Sequence, residues 1–535
     1  MEAVNYKPKL NEQQDKLRQL LKELQKRRIQ PEDRYEMAAM LESVGWNDDR
    51  ASKAFGVDNV FELASHLWEM SKSNIIFTPF NKEEKMGLLE AIRLIVSNFL
   101  RGAIFALPMA VSVFSMITIR FSLWSYENLS VELATSIAIG TILSFVTVGG
   151  FTQAIARRGF FYIIQGYYRM ARRVTFYFIG LGTITCIVSS GIIFLLNSLI
   201  HLFPYHMIVI IVLYYVFLNT IWLSVTVMYI LRKELVFTAL IIIGIIMVYI
   251  LFVLFGINII VAQLISLFLV SLIGIALAFY YFKKAEAKEE KGIDPKLPKM
   301  SVAIYNTMPY FIYGILYFTF LFVDRVMAWS VDNAFLPYLI WFRGDYELGL
   351  DFSLLVLIIP MGINEVVLHK FMTDIQSSQK RYLGQDYKKM NNHYITEYIL
   401  RVVVILIVSI VSAVGLYFSI EVTIGYFNPE MGEVIYHNRI THFVFIASLI
   451  AYVFLAVALM NAVTLFSLSQ PHKVIKSIMP ALLVNVITGF VLSRWFGYEY
   501  AVLGLLVASI VFMILSLIQV FSVLRKLDYH MYEAS

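Results

Sequence analysis

The sequence predicts an all-α integral membrane protein, with about twelve transmembrane helices in two six-helix bundles and a small cytoplasmic helical segment at the N-terminus. Three observations predict it. Hydrophobic residues make up 59% of the 535 and charged residues 15%, where a soluble domain runs at about 45–50% and about 25%. Long apolar runs recur from residue 99 to residue 523. Charge is crowded at one end: residues 1–98 hold 15 Lys+Arg and 16 Asp+Glu, leaving 29 and 22 for the other 437.

Residues 1–80 read as the cytoplasmic helical segment. Leu17, Leu20, Leu21 and Leu24 recur at i, i+3, i+4 and i+7 behind Asn11, a suitable N-cap. A second helix opens at Pro31 and carries Tyr35, Met37, Ala38, Leu41 and Val44 to Gly45; a third follows Asp58 with Val60, Phe61, Ala64, Leu67 and Trp68. About 75 residues is near the lower limit for an independent core, so the segment is expected to lean on the membrane body or a partner. No short basic stretch leads into an apolar core with a small-residue cleavage site, so no cleavable leader is expected. Asn81 with Glu84 forms a capping-box pattern, and 81–98 reads as an interfacial helix entering the first span.

A spanning helix needs about 20 mostly apolar residues. Twelve such stretches fall at 99–119, 131–152, 174–199, 206–230, 234–255, 258–282, 303–324, 350–369, 398–420, 440–466, 477–493 and 500–523. An even number places both termini on one side. The connections on that side carry 22 Lys and Arg, against five on the other: Arg120, Arg325, Arg343, Arg439 and Arg494. Basic loops resist translocation, which makes the termini cytoplasmic. Residues 283–300, with six Lys, four acids and two Pro, form a charged cytoplasmic linker between a first half (81–282) and a second (301–526), with 527–535 as a tail. Two equal halves flanking a central cavity are the expected build of a transporter. The basic balance thus follows topology and points to membrane lipid, not nucleic acid.

Several groups are chemically notable, each with a structural alternative. Asp324 and Arg325 fall where the seventh span meets the outer surface, either as an interfacial pair or as charges facing a wet cavity. Tyr310, Tyr313, Tyr317 and Phe320 recur at helical spacing, as packing aromatics or as faces for sliding sugar rings. Pro309 and Gly314 could bend that helix, and Pro108 the first. Asn219 and Trp222 share the fourth span, where an amide seeks a partner helix. Glu365 and His369, one turn apart, suit an ion pair or a proton relay. Arg157, Arg158, Arg169, Arg172 and Arg173 fit either topology or contact with anionic lipid headgroups. Cys186, the sole cysteine, excludes a disulfide framework or thiolate cluster. No phosphate-binding glycine loop, His-Glu-x-x-His helix or Gly-x-Ser-x-Gly elbow occurs, so neither an enzyme, a metal site nor a cofactor is expected.

The run Leu316-Tyr317-Phe318-Thr319-Phe320-Leu321-Phe322-Val323-Asp324-Arg325, followed by Tyr346-Glu347-Leu348 and Ile358-Ile359-Pro360, resembles the PelG family of exopolysaccharide exporters. Ala156-Arg157-Arg158 with Arg173, and Asn219-Thr220-Ile221-Trp222 before Arg232-Lys233, are similar to the family's pattern in the first half. The resemblance covers roughly 99–526. Residues 1–80 lie outside the pattern, and Glu347 stands where the family has Asp. The resemblance implies a flippase-like member of the multidrug/oligosaccharidyl-lipid/polysaccharide superfamily in the bacterial cytoplasmic membrane. It would export an amino-sugar-rich polymer beside a cytoplasmic glycosyltransferase and other membrane components of a synthase. On that reading Asp324, Arg325, Tyr310, Tyr313, Tyr317, Trp222 and Asn219 line the substrate path. The alternatives are a flippase for lipid-linked oligosaccharide, for which Arg101 is an early candidate, and a non-transporting scaffold for a glycan synthase.

Overall fold

The computed structural model describes residues 16, 17, 19–21, 23, 24, 34–73, 88–103, 107–287, 299–331, 338–378, 387–427 and 435–534. The chain divides into two compact units, Met1–Arg93 with Ser377–Arg381, and Leu94–Gln376 with Tyr382–Ser535.

In the first unit, helices α1 (Arg34–Ser43), α2 (Asp48–Phe55) and α3 (Val60–Ser73) share a core of Leu20, Leu21, Leu24, Met37, Leu41, Leu63 and Leu67. Helix α2 was not expected from sequence, because eight residues are too few to show a period. Its ends are nonetheless marked. Asn47 accepts a hydrogen bond from the Arg50 backbone at 2.9 Å, and Gly56 takes the left-handed conformation that closes the helix. The Val60 amide then donates to Asp48 at 2.8 Å, joining α3 to α2. The caps proposed at Asn11, Pro31, Asn81 and Glu84 lie outside the described residues, as does most of the linker, 288–298.

The second unit is helical, with α4 (Leu88–Ala103, in this unit from Leu94 on), α5 (Leu107–Ile119), α6 (Val131–Ile164), α7 (Tyr168–Ile200), α8 (Tyr205–Ile230), α9 (Glu234–Tyr249, continued by a π turn to Leu254) and α10 (Ile259–Glu286). It continues with α11 (Met300–Trp329), α12 (Gly344–Leu354), α13 (Ile358–Ser378), α14 (Tyr387–Phe427), α15 (Arg439–Ser467), α16 (Pro471–Trp495), α17 (Val502–Leu524) and α18 (Leu527–Ala534). Among the described residues eleven helical stretches are long and apolar enough to cross a membrane, with α12 and α13 counting as one; within the first expected span the apolar helix is the shorter Ala110–Ile119. About twelve spans fits this arrangement.

Two buried cores separate the halves. One gathers Val148, Phe178, Leu218, Ile241 and Leu267 from α6 to α10; the other gathers Phe320, Leu350, Phe371, Leu455 and Phe512 from α11 to α17. The halves meet along α6 and α11. A side chain on Gly314 would strike the Gly149 carbonyl, and Phe311 fills the space over Gly150. Small residues thus allow close backbone approach. At the far end of the seam the Phe342 amide donates to Thr135 Oγ1 at 3.1 Å.

Two boundaries differ from the sequence expectation. The seventh span ends at Trp329 rather than 324, and the eighth begins at Gly344 rather than 350. Asp324, Arg325, Asp345 and Glu347 therefore sit within helices, not at a surface edge or in a long outer loop.

The connection at 120–127, expected on the surface, is drawn inward as well. It folds as a hairpin: Phe121 bridges to Tyr126, the Ser122 amide donates to the Ser125 carbonyl at 2.8 Å, and the Glu127 amide to the Arg120 carbonyl at 3.1 Å. Ser122 and Leu123 are fully buried, and Leu123 packs on Gly244, ten residues from each end of the 234–254 stretch. At 1.5 Å per residue the tip stands about 15 Å along that helix, near its middle. Irregular backbone at such depth survives only if protein satisfies it. Gln263 does so, donating through Nε2 to the Ser122 and Ser125 carbonyls at 3.1 and 3.0 Å, while the Tyr214 hydroxyl donates to Gln263 Oε1 at 2.8 Å.

Candidate functional site

Helices α11 and α12 bring the charged residues of the second half together. On α12, Glu347 and Asp351 are four residues apart and share a face, so both reach one guanidinium on α11. Arg325 donates through Nη1 to Glu347 Oε2 and through Nη2 to Asp351 Oδ1 at 2.9 Å. Trp329, one turn beyond Arg325, donates through Nε1 to Glu347 Oε1 at 2.9 Å, and the Tyr346 hydroxyl donates to Asp324 Oδ2 at 2.8 Å. Asp324, Arg325 and Glu347 are 0%, 6% and 5% exposed. Charges this deep persist only when paired and hydrogen-bonded. The interfacial reading of Asp324 and Arg325 is therefore replaced by a network in which Arg325 takes two carboxylates, buried Glu347 and partly exposed Asp351, while Tyr346 holds Asp324. Asp324 Oδ1 and Arg325 Nε are left without partners. Tyr346, Glu347, Asp351 and Trp329 were not singled out from sequence for this role, although the i, i+4 acids opposite Arg325 carried a signal.

Along α11 the aromatic residues divide. Tyr313 and Tyr317 stack with centroids 6.0 Å apart, and Tyr310 and Tyr313 pack on Phe466 at 5.2 and 4.7 Å. Phe320 instead faces Phe512, inside the second half, and so does not share their face. The helix runs unbroken through Pro309 and Gly314, and Gly314 lies at the crossing with α6. A guanidinium flanks each end of the aromatic row: Arg157 lies 5.2 Å from the Tyr310 ring and Arg325 lies 5.3 Å from that of Phe322. Arg157 also donates to Ser469 Oγ at 3.2 Å, linking the first half to the second.

Other basic residues are held locally. Arg169 and Arg172 both pair with Glu286, at 3.0 and 3.1 Å, Arg158 lies over Phe161, and Arg173 is exposed. Glu365 pairs with Arg101 at 3.7 Å, across the halves, beside a close approach of Gly102 to Gly362. Glu365 thus also takes a partner from a helix far away in sequence.

In the first half Asn219 and Trp222 lie one turn apart on α8. Asn219 is 1% exposed, yet neither amide atom has a partner, and Trp222 Nε1 also has none. Trp222 packs on Phe145 at 4.8 Å, and Phe145 stacks on Phe318 and Phe322, each at 5.4 Å. Aromatic contact is therefore continuous from α8 across the seam to α11. Among the described residues no group of His, Cys, Asp and Glu is placed to hold a metal ion.

No protein-family model and no curated protein matches the chain. Solved structures do. A mutant of the Vibrio cholerae MATE transporter VcmN aligns at 13% identity and TM-score 0.53 over 81% of this chain and 98% of its own. A MOP superfamily transporter from Pyrococcus furiosus aligns at 14% identity and TM-score 0.53 over 81% and 95%. The eukaryotic MATE transporter AtDTX14 aligns at 10% identity and TM-score 0.56 over 84% and 99%. At these identities the likeness establishes the fold.

Proposed function

We propose that this chain is a membrane exporter that moves a hydrophilic, amino-sugar-rich polysaccharide between its two halves. It acts in the bacterial cytoplasmic membrane, with its basic end and both termini cytoplasmic, beside a glycosyltransferase that supplies the polymer. The observation that carries this reading is the contact between Tyr346 and Asp324. The two short motifs that resemble the exporter family, 316–325 and 346–348, are far apart in sequence and meet in one buried network. The MATE-like fold supports the coarser part of the reading, a transporter. The aromatic row between Arg157 and Arg325 offers ring faces along the seam, and Asp324 Oδ1 keeps an unused acceptor suited to hydroxyl or ammonium groups.

The test is complementation of a deletion strain with the wild type or Asp324→Asn, measuring secreted polysaccharide and membrane protein level together. Loss of secretion at normal protein level is the expected result. Undiminished secretion in the uncomplemented deletion strain would remove the exporter reading.

A further inference from the structure

The hairpin at 120–127 carries three aromatic rings, and they go to different places. Phe121 and Tyr126 pack against Phe252, each at 5.7 Å, and so anchor the hairpin to the first half. Trp124 points elsewhere, with its ring 6.3 Å from that of Trp222. Trp222 in turn touches Phe145, the residue whose ring is stacked on α11 of the other half. A connecting segment thus delivers a partly exposed indole to Trp222, two rings away from α11 of the other half.

The unused polar atoms are on Trp222 and, one turn before it on α8, on Asn219. Buried tryptophan N–H groups and amides nearly always find partners, because an unmet buried donor or acceptor carries a desolvation penalty. Trp222 Nε1, Asn219 Nδ2 and Asn219 Oδ1 have none. Neighbouring polar groups divide: Tyr214, five residues before Asn219 on the same helix, is satisfied by Gln263, which also satisfies the hairpin backbone, while the Ser122 and Ser266 hydroxyls are unmatched too. The unmet groups are neutral donors and an acceptor next to flat apolar faces. A pyranose ring has that complement, with C–H groups on its faces and hydroxyl or acetamido groups at its edge. A diphosphate does not, since none of Trp124, Trp222, Asn219 and Phe145 is charged.

We propose that Trp124, Trp222 and Asn219 form a saccharide-binding subsite in the first half. Phe145 borders it on the side of the seam, where Phe318 and Phe322 of α11 cover Phe145 in the present packing and leave it when α6 and α11 part. Trp124 supplies a stacking face, Trp222 Nε1 and Asn219 Nδ2 donate to ring substituents, and Asn219 Oδ1 accepts. Gln263 is a positioning residue, because it holds the hairpin backbone and not the sugar. This inference rests on the polysaccharide reading and narrows it to named contacts away from the Asp324 network.

The test is calorimetric titration of the full-length protein in lipid nanodiscs with tetramers of N-acetylglucosamine, glucosamine and glucose. The wild type is expected to bind at least one tetramer. Trp124→Ala and Asn219→Leu should each weaken binding by about tenfold, and Trp124→Phe, which keeps a stacking face, by about threefold or less. Thermal unfolding of each variant is measured in parallel, and Asn219→Leu, being close in shape, should fold normally. Wild-type binding that survives within about twofold in Trp124→Ala and Asn219→Leu would overturn the subsite and leave the polysaccharide reading standing. Failure of the wild type to bind any tetramer would overturn both.

Discussion

The second half surrounds Arg325 with Glu347 and Asp351 and ties Trp329 and Tyr346 into the same network, whereas the first half leaves Asn219 and Trp222 with three unmatched polar atoms beside stacked rings. The two interiors therefore answer substitution differently. In the second half, charges hold α11 to α12, and removing one strands the others. In the first half, aromatic packing and the Gln263 tether do the holding, and the unmatched atoms of Asn219 and Trp222 are neutral, whereas those of the second half, Asp324 Oδ1 and Arg325 Nε, belong to charged groups. A buried polar group is thus better judged by what it leaves unpaired than by its polarity alone.

The largest effect that would break this contrast is at Arg325. Arg325→Ala leaves Glu347 buried without its cation and should lower stability by about 3–5 kcal/mol, seen as a large drop in the unfolding midpoint of the solubilised protein. An unchanged midpoint would mean that the network does not hold the second half together. Next is the seam itself. Gly314→Ala drives a methyl group into the Gly149 carbonyl and should lose about 1–3 kcal/mol. Gly415→Ala, where a methyl group meets nothing within 4 Å, should be neutral or stabilising in the same assay. In the first half Asn219→Leu should leave stability unchanged or raise it by up to about 1–3 kcal/mol, since it removes an unmet buried amide; clear destabilisation would show that the amide has a structural partner. The smallest effect is between the halves. The Arg101 and Glu365 side chains, 12% and 25% exposed, should show a coupling of about 0.2–1 kcal/mol in a double-mutant cycle that weakens with added salt.

The parts legible in the sequence were those set by local composition. Span after span, the apolar runs locate α6 to α11 and α14 to α17, because a helix satisfies its own backbone and needs only an apolar surface to sit in lipid. Span ends were less legible where charge intervened. Asp324 and Arg325 looked like a helix end because an isolated charged pair in lipid is costly, and the acids that compensate it lie more than twenty residues away. The hairpin at 120–127 was obscured for a related reason. With two serines and no glycine it reads as a surface loop, although Phe121, Leu123, Trp124 and Tyr126 make it unusually apolar for one. Glu365 was read against its neighbour His369 when its partner, Arg101, comes from the other half.

The sequence by itself determined a polytopic helical membrane protein in two halves with a charged helical N-terminal unit. These follow from hydropathy, charge asymmetry and residue identity, which act over one helix length. Only the tertiary structure decided that Tyr346 meets Asp324, that Arg325 is shared by two acids, and that the first connection is drawn into the bundle to place Trp124 beside Trp222. Those are pairings between helices, where unmet backbone and side-chain polarity in a low-dielectric interior selects partners that no local pattern encodes.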